Sequence, residues 1–255
     1  MVHSTGANNP TLKRFVQPSP DDPNYETILE EIGKNLYSNS WNQITHYAGL
    51  NAWIGKMANG SITTLQTMPW HYRPWGCGTG AKGSCNTGWI QFEICEDGLT
   101  DANYFNSVYE EAIQLMAYLC KKYNLDPNGY VEAYNGDKIP VILCHADSYK
   151  LGYGSNHGDV NHWFPKFGKS METMRQDVTK LLAEDTEVNK PAPAPTPVAP
   201  PVVETPVVNT QSAGITQEQF NQMMNVYLET IALQDATWEG AAMDWAVSNG
   251  LIQGD

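Results

Sequence analysis

A proline-rich run divides the chain into two unequal parts and limits where a folded domain can lie. From residue 185 the sequence reads DTEVNKPAPAPTPVAPPVVETPVVNTQSAG, in which Pro alternates with Ala and Val. This composition favours an extended, polyproline-like linker and cannot build a hydrophobic core. We therefore predict a main domain over residues 1–184, a linker over 185–214 and a small C-terminal module over 215–255. Only the main domain is long enough to bury a sizeable core.

The main domain alternates between helical and strand-like hydrophobic patterns. Apolar residues recur at helical spacing in three segments, and Asp101 is placed to cap the longest of them. Period-two alternation or a short apolar run marks four candidate strands. Helices are predicted over 25–36, 101–123 and 171–182, and strands over 51–54, 62–66, 89–95 and 139–144. Interleaved strands and helices predict an α/β fold, with a central mixed β-sheet flanked by helices.

Charge and hydropathy argue against two classes of partner. The chain carries 15 Lys and Arg against 28 Asp and Glu, a net charge of −13. This balance argues against nucleic acid, because phosphate contacts need clustered basic side chains. No stretch approaches the roughly 20 apolar residues that cross a bilayer, so we expect no membrane partner. The N-terminal MVHSTGANNP lacks the basic region and apolar run of a signal peptide, so we expect synthesis in the cytoplasm of a host cell.

The five cysteines predict a protein with reduced thiols. None forms a C-x-x-C motif, which argues against a structural zinc finger, and the odd count leaves at least one thiol free. Cys77 and Cys85 flank a glycine-rich loop and are the one pair to test as a disulfide.

Two histidines and an aspartate follow strand-like segments and could together hold a metal. His3 follows an aliphatic residue, His145 ends the apolar run 139–144, and Asp159 lies in the next loop. Two imidazoles and one carboxylate are a catalytic zinc set, with a fourth position left for water. On spacing alone, the alternative is a terminal His3, a structural His145 and a turn-forming Asp159. Glu93 lies in the middle of a predicted strand, where a carboxylate must face solvent or a functional cleft.

Three separated segments then point to a family. They are VHST at 2–5, GWIQFEICE at 88–96, and CHAD at 144–147 followed by SNHGDVNHW at 155–163. In this order they resemble the zinc-dependent N-acetylmuramoyl-L-alanine amidases of type 2. These amidases are related to peptidoglycan recognition proteins, and the form resembled here is that of phage and prophage endolysins of Gram-positive hosts. The resemblance covers most of residues 1–184.

The resemblance implies a Zn²⁺ ligand set of His3, His145 and Asp159. The interval between His145 and Asp159 is longer than is common in the family, so His157 and His162 are alternatives for the third ligand. The family also has more chain before its first zinc histidine, and we therefore expect this chain to be truncated or to start late.

The same resemblance implies roles for the residues around the metal. Glu93 is the implied catalytic base, and His157 the implied donor to the developing oxyanion. Trp75, Asn51 and Trp70 are the candidate substrate-binding residues. Asn51 and the stretch after Trp75 fall where relatives carry histidines that line the substrate groove. Core packing is the alternative for both tryptophans.

The implied function is hydrolysis of the amide bond between N-acetylmuramic acid and L-Ala by zinc-activated water, in lysis of the bacterial cell wall. The partner is then peptidoglycan, met outside the cell. The alternative is a non-catalytic peptidoglycan-binding module of the same fold. Residues 215–255 hold two amphipathic stretches and predict a helical module. For this module, wall binding, a truncated fragment and homodimer formation are the alternatives.

Overall fold

The computed structural model describes residues 1–41 and 48–188 of the chain. The predicted C-terminal module, and the predicted linker from residue 189 onward, lie outside the described residues. Within them, a four-stranded sheet, a separate two-stranded sheet and four α-helices form the main domain.

The four-stranded sheet is mixed, as predicted. Its strands are β1 (Val2–Ser4), β2 (Ala52–Lys56), β3 (Ile62–Gln66) and β4 (Phe92–Ile94), in the order β1-β4-β2-β3. β4 pairs in parallel with both β1 and β2, and β3 pairs antiparallel with β2. The β2–β3 hairpin follows the two strands that the alternation predicted. This sheet with flanking helices confirms the α/β class.

The four helices are α1 (Tyr25–Ile32), α2 (Ala102–Tyr123), α3 (His145–Leu151) and α4 (Met171–Val188). Asp101 caps α2 as predicted, because its side chain accepts hydrogen bonds from the backbone N–H groups of Asn103 and Tyr104. α1 stops short of its predicted end, at Gly33, whose φ of +90° favours glycine. α4 continues past residue 184, the predicted end of the main domain.

Each face of the four-stranded sheet packs against different elements. On one face, Val2, Phe92 and Ile94 join the main core with α2 and α4. On the other face, Trp53 of β2 packs with Leu12 and Phe15 of the N-terminal segment. Because successive side chains of a strand point to opposite faces, His3 and Glu93 lie on this second face, away from α2.

The predicted buried strand over 139–144 is wrong in extent. Only Lys138–Pro140 forms a strand, β6, and it pairs antiparallel with β5 (Tyr130–Glu132) in the separate sheet. The following residues run beside β1 and make one isolated bridge, from Cys144 to Val2. Ile142, Leu143 and Cys144 are all buried. An apolar run of this length indicates that the segment is buried. Burial alone does not distinguish a strand from a buried extended segment without strand partners.

Two further sequence expectations can be compared with the structure. All five cysteines are free and buried, so Cys77 and Cys85 are not bonded to each other. Among the described residues, no helix has the length and apolar content needed to span a bilayer.

Candidate metal centre

The first half of the site is carried by strands. His3 of β1 and Glu93 of β4 are registered partners in a parallel pair, so their side chains leave the sheet side by side on the same face. Both are buried: His3 is 2% and Glu93 8% exposed. We call His3, Glu93 and Gln91, which precedes β4, the strand half of the site.

The second half is carried by α3 and the loop after it. The backbone N–H of Val2 donates to the carbonyl of Leu143 (2.9 Å), which holds the chain against β1 just before α3 begins at His145. The backbone N–H of Ala146 donates to the carbonyl of Asp159 (3.0 Å), which ties the later loop to the start of the helix. We call His145, Ser155, His157 and Asp159 the loop half.

The two halves bring one imidazole each, and one carboxylate, to a common point. The candidate ligand atoms of His3, His145 and Asp159 all lie within 4.8 Å of one another. Asp159 Oδ2 is 3.3 Å from His3 Nδ1, and Asp159 Oδ1 is 3.6 Å from His145 Nδ1. Two imidazole nitrogens and a carboxylate oxygen, all buried, are the donor set of a three-ligand metal site. The donor chemistry therefore fits a divalent metal such as zinc.

Neither alternative third ligand takes the place of Asp159. His157 stacks on the outside of His145, with ring centroids 4.5 Å apart. His162 turns to the buried carboxylate of Glu96, at 2.8 Å between Nε2 and Oε1.

The second ring nitrogen of each histidine is engaged elsewhere. His3 Nε2 lies 2.8 Å from the side-chain oxygen of Gln91, and His145 Nε2 lies 3.2 Å from the hydroxyl of Ser155. Each bond occupies Nε2 and leaves Nδ1 facing Asp159. Metal-binding histidines are oriented in this way by partners on their other nitrogen.

The electrostatics keep His145 neutral and Asp159 charged. Burial, with a contribution from the neighbouring charge of His3, lowers the pKa of His145 to about 4. Burial acts to raise the pKa of Asp159, but the hydrogen bond and charge of His3 outweigh it, and the pKa is lowered. A neutral imidazole and an ionised carboxylate are the forms that bind a metal.

Glu93 has the opposite shift. Burial raises its pKa well above the usual glutamate range, and the carboxylates of Asp159 and Glu96 add to the effect. Its Oε2 atom is buried without a hydrogen-bond partner among the described residues. A buried carboxyl with an unused oxygen beside a metal-type cluster is a candidate proton acceptor.

The three predicted substrate residues occupy different environments. Trp75 is 46% exposed, and the Arg73 guanidinium lies over its ring at 5.4 Å. Trp70 lines an apolar cavity of about 480 Å³; among the described residues, its lining includes neither Glu93 nor the three metal-site residues. Asn51 is fully buried. Its amide nitrogen donates to the carbonyls of Pro69 and Tyr72, and its oxygen accepts from the backbone N–H of Gln91, so no side-chain surface is left for a substrate.

Gln91 and Ser155 were missed by the sequence analysis. A periodic signal was available for Gln91, because it precedes Glu93 by two residues in an alternating segment and so shares its face. Ser155 lies in a loop, where no periodicity indicates which side chains turn inward.

Comparison with known proteins agrees with the segments singled out above. The profile of the Amidase_2 family, described as N-acetylmuramoyl-L-alanine amidase, matches residues 1–159. The match covers more than half of the chain and includes all three residues of the metal-type cluster. The chain belongs to this family of peptidoglycan amidases.

Other comparisons add little. Among solved structures, the chain is similar to the hydrolase AmiA of Staphylococcus aureus in complex with its ligand. The two are 19% identical, with a TM-score of 0.46 over 75% of each chain. No curated protein matches the sequence.

Proposed function

We propose that this chain hydrolyses the amide bond between N-acetylmuramic acid and L-Ala of peptidoglycan, with Zn²⁺ held by His3, His145 and Asp159. The observation that carries the proposal is the meeting of these three side chains within 4.8 Å, beside the buried carboxyl of Glu93. When bound, such a metal acts as a Lewis acid that polarises a carbonyl and lowers the pKa of water.

Glu93 is the proton carrier of the proposed reaction. Its carboxylate accepts a proton from the attacking water, and the resulting carboxylic acid returns that proton to the amine that leaves. The water oxygen ends in the lactyl carboxyl group, and L-Ala gains a free amino terminus. The raised pKa suits both steps, because it makes Glu93 a stronger base and lets it keep the proton until the C–N bond breaks.

His157 is the proposed donor to the oxyanion. Its ring covers His145 at the exposed side of the cluster, and its Nδ1 lies 3.2 Å from the Ser155 hydroxyl. The Ser155 hydroxyl also donates to the Cys77 carbonyl (3.2 Å). From this exposed position, a ring N–H of His157 can donate to a carbonyl oxygen that gains negative charge.

We further propose that this activity serves cell-wall lysis in an endolysin that acts outside the cell. The resemblance of the three segments to endolysin amidases supports this, and so does the proline-rich run that follows the amidase domain. Trp75 is proposed to contact the substrate because its ring is exposed. The absence of a nucleic-acid partner stays a prediction from the charge of −13.

The test is release of new L-Ala amino termini from purified cell walls, with and without a chelator. The proposal predicts release that the chelator stops and added zinc restores, and none from Glu93→Gln. A protein that binds walls and zinc but releases no amino termini would instead be a non-catalytic binding module. Release that continues in excess chelator would reject the metal-dependent mechanism.

A further inference from the structure

The buried hydrogen bond between His3 and Gln91 is the end of a longer chain of bonds. The Gln91 amide nitrogen donates to Asn86 Oδ1 (3.1 Å) and to the carbonyl of Cys85 (3.2 Å). Both Gln91 and Asn86 are fully buried. Water therefore does not compete for these bonds, and each donor must find a protein acceptor.

The orientation of Asn86 is fixed by the backbone. Its Oδ1 accepts from the backbone N–H groups of Gly76 (3.0 Å) and Cys77 (3.1 Å), and its amide nitrogen donates to the carbonyl of Gly78 (3.0 Å). A backbone N–H can only donate and a backbone carbonyl can only accept, so these contacts fix which end of the Asn86 amide is the oxygen. That oxygen faces Gln91. Two acceptors, Asn86 Oδ1 and the Cys85 carbonyl, then require the NH₂ end of Gln91, and its oxygen is left for His3.

Steric and backbone contacts hold Gln91 in that position. A Cβ atom at residue 76 would lie 2.6 Å from the Gln91 side-chain oxygen and would also meet Leu50, so only glycine leaves room for the amide. The backbone N–H of Gln91 donates to Asn51 Oδ1 (3.0 Å), and the backbone N–H of Asn51 donates to the Gln91 carbonyl (2.9 Å). Exchanging the oxygen and nitrogen of the Gln91 amide would break the two hydrogen bonds that its nitrogen donates. It would also place the Gln91 oxygen against the oxygen of Asn86.

We propose that Gln91 is the positioning residue that keeps a proton on His3 Nε2 and so leaves Nδ1 as the atom directed at the metal position. An oxygen 2.8 Å from His3 Nε2 accepts only if Nε2 carries a proton. Asp159 Oδ2 lies 3.3 Å from Nδ1 and accepts from it whenever that nitrogen is protonated, so the proton on Nδ1 is the one that a metal replaces. The backbone of residues 76–78 therefore orients Asn86, Asn86 orients Gln91, and Gln91 orients His3. This inference rests on the proposed metal-dependent function, because it takes Nδ1 of His3 as the atom that binds the metal.

The direct test is the ring-nitrogen NMR spectrum of His3 in the metal-free, ¹⁵N-labelled full chain. The His3 signals are assigned by their loss in His3→Ala. The proposal predicts a protonated Nε2 in the wild-type protein. An unprotonated Nε2 would overturn it without any further variant.

Two substitutions at residue 91 separate positioning from packing. Gln91→Leu keeps the bulk and removes the acceptor, so the preference for a protonated Nε2 is lost and zinc binds about 10–100-fold more weakly in a chelator competition titration. Gln91→Glu keeps an acceptor oxygen for His3, so the Nε2 proton is retained although the pairing with Asn86 is lost. Gln66→Leu, on the exposed side of β3, is the matched control and leaves both readouts unchanged.

A folded Gln91→Leu protein with wild-type Nε2 protonation and zinc affinity would overturn the proposal. If Gln91→Leu does not fold, loss of the Nε2 proton in Gln91→Glu would overturn it as well. Both readouts are independent of cell-wall hydrolysis. An inactive wild-type protein with the expected Nε2 proton would therefore reject the proposed function and still support the role of Gln91.

Discussion

The strand half and the loop half of the candidate metal centre hold equivalent candidate ligands by different means. His3 is fixed through Gln91 and Asn86, both fully buried, and the chain of bonds ends in backbone groups. His145 is fixed through one partly buried hydroxyl, that of Ser155, which also contacts the exposed His157. The strand half is therefore held more rigidly than the loop half, and in the proposed function the loop half would present the donors to a substrate.

The largest effects should come from removing one ligand from each half. We expect His3→Ala and His145→Ala each to reduce release of L-Ala amino termini to the level of chelator-treated wild type, because two remaining ligands hold zinc poorly. Zinc content after dialysis, with the release assay, measures both effects. His71→Ala, an exposed histidine outside the cluster, is the control. Chelator-sensitive activity at the wild-type level in either variant would contradict the ligand assignment.

Replacing Glu93 should have the next largest effect on activity. Glu93→Gln keeps the shape and removes the base, so we expect a loss of about 10²–10⁴-fold in kcat with zinc affinity little changed. The comparison with a ligand variant is informative, because only the ligand variants should lose the metal. Full activity in Glu93→Gln would show that another group moves the proton.

The same substitution should stabilise the metal-free protein at neutral pH. Because the folded-state pKa of Glu93 is raised, the folded chain binds more protons than the unfolded chain once the pH exceeds the ordinary value of about 4.3. The free energy of unfolding of the wild type therefore falls, relative to Glu93→Gln, as the pH rises from about 4.3 towards the raised pKa.

Urea unfolding in chelator at several pH values checks this shift. We expect Glu93→Gln to be more stable by about 1–3 kcal/mol at neutral pH, with little difference below pH 4. A wild type as stable as the variant at neutral pH would mean that Glu93 has a partner that this structure does not contain.

Ser155 tests whether the loop half depends on a single hydroxyl. Ser155→Ala removes the partner of His145 Nε2 and of His157 Nδ1 together, so we expect activity to fall about 10–100-fold. Zinc affinity should fall in the same range. Ser61→Ala, on the turn between β2 and β3, serves as the control. Unchanged activity in Ser155→Ala would show that His145 is oriented without this hydroxyl.

The smallest effects on activity should come from Trp75, in contrast to Asn51. Trp75→Ala alters an exposed ring, so we expect a raised KM and a change of under about 0.5 kcal/mol in stability. Asn51→Ala leaves three backbone groups without their partner, of which the N–H of Gln91 is buried, so we expect a loss of about 1–3 kcal/mol in stability. Thermal unfolding and wall-digestion kinetics separate the two. A destabilised Trp75→Ala protein would indicate core packing instead.

The two halves also differ in how far the sequence could predict them. Alternation placed Glu93 on a strand, and the order of the three segments indicated the family. Alternation could also have placed Gln91 beside Glu93, because Gln91 comes two residues before Glu93 in the same alternating segment. Ser155 has no such signal, since its role depends on how the loop after α3 folds back on His145.

The errors in the fold have a similar origin. The run 139–144 is apolar, as expected for a largely buried segment. Only pairing with β5 decides which of its residues form a strand. Asn51 falls where the resemblance implied a groove-lining position, yet its amide is used to brace Gln91 and the loop that contains Pro69. Hydrogen-bond partners far apart in sequence decide both cases, and local patterns do not contain them.

The most direct test of the central claim is a titration of metal-free protein with zinc, scored by release of L-Ala amino termini from purified walls. We expect no release without metal, then a rise that saturates at one zinc per chain. Release by the metal-free protein at the saturated rate, or no release at one equivalent of bound zinc, would contradict it.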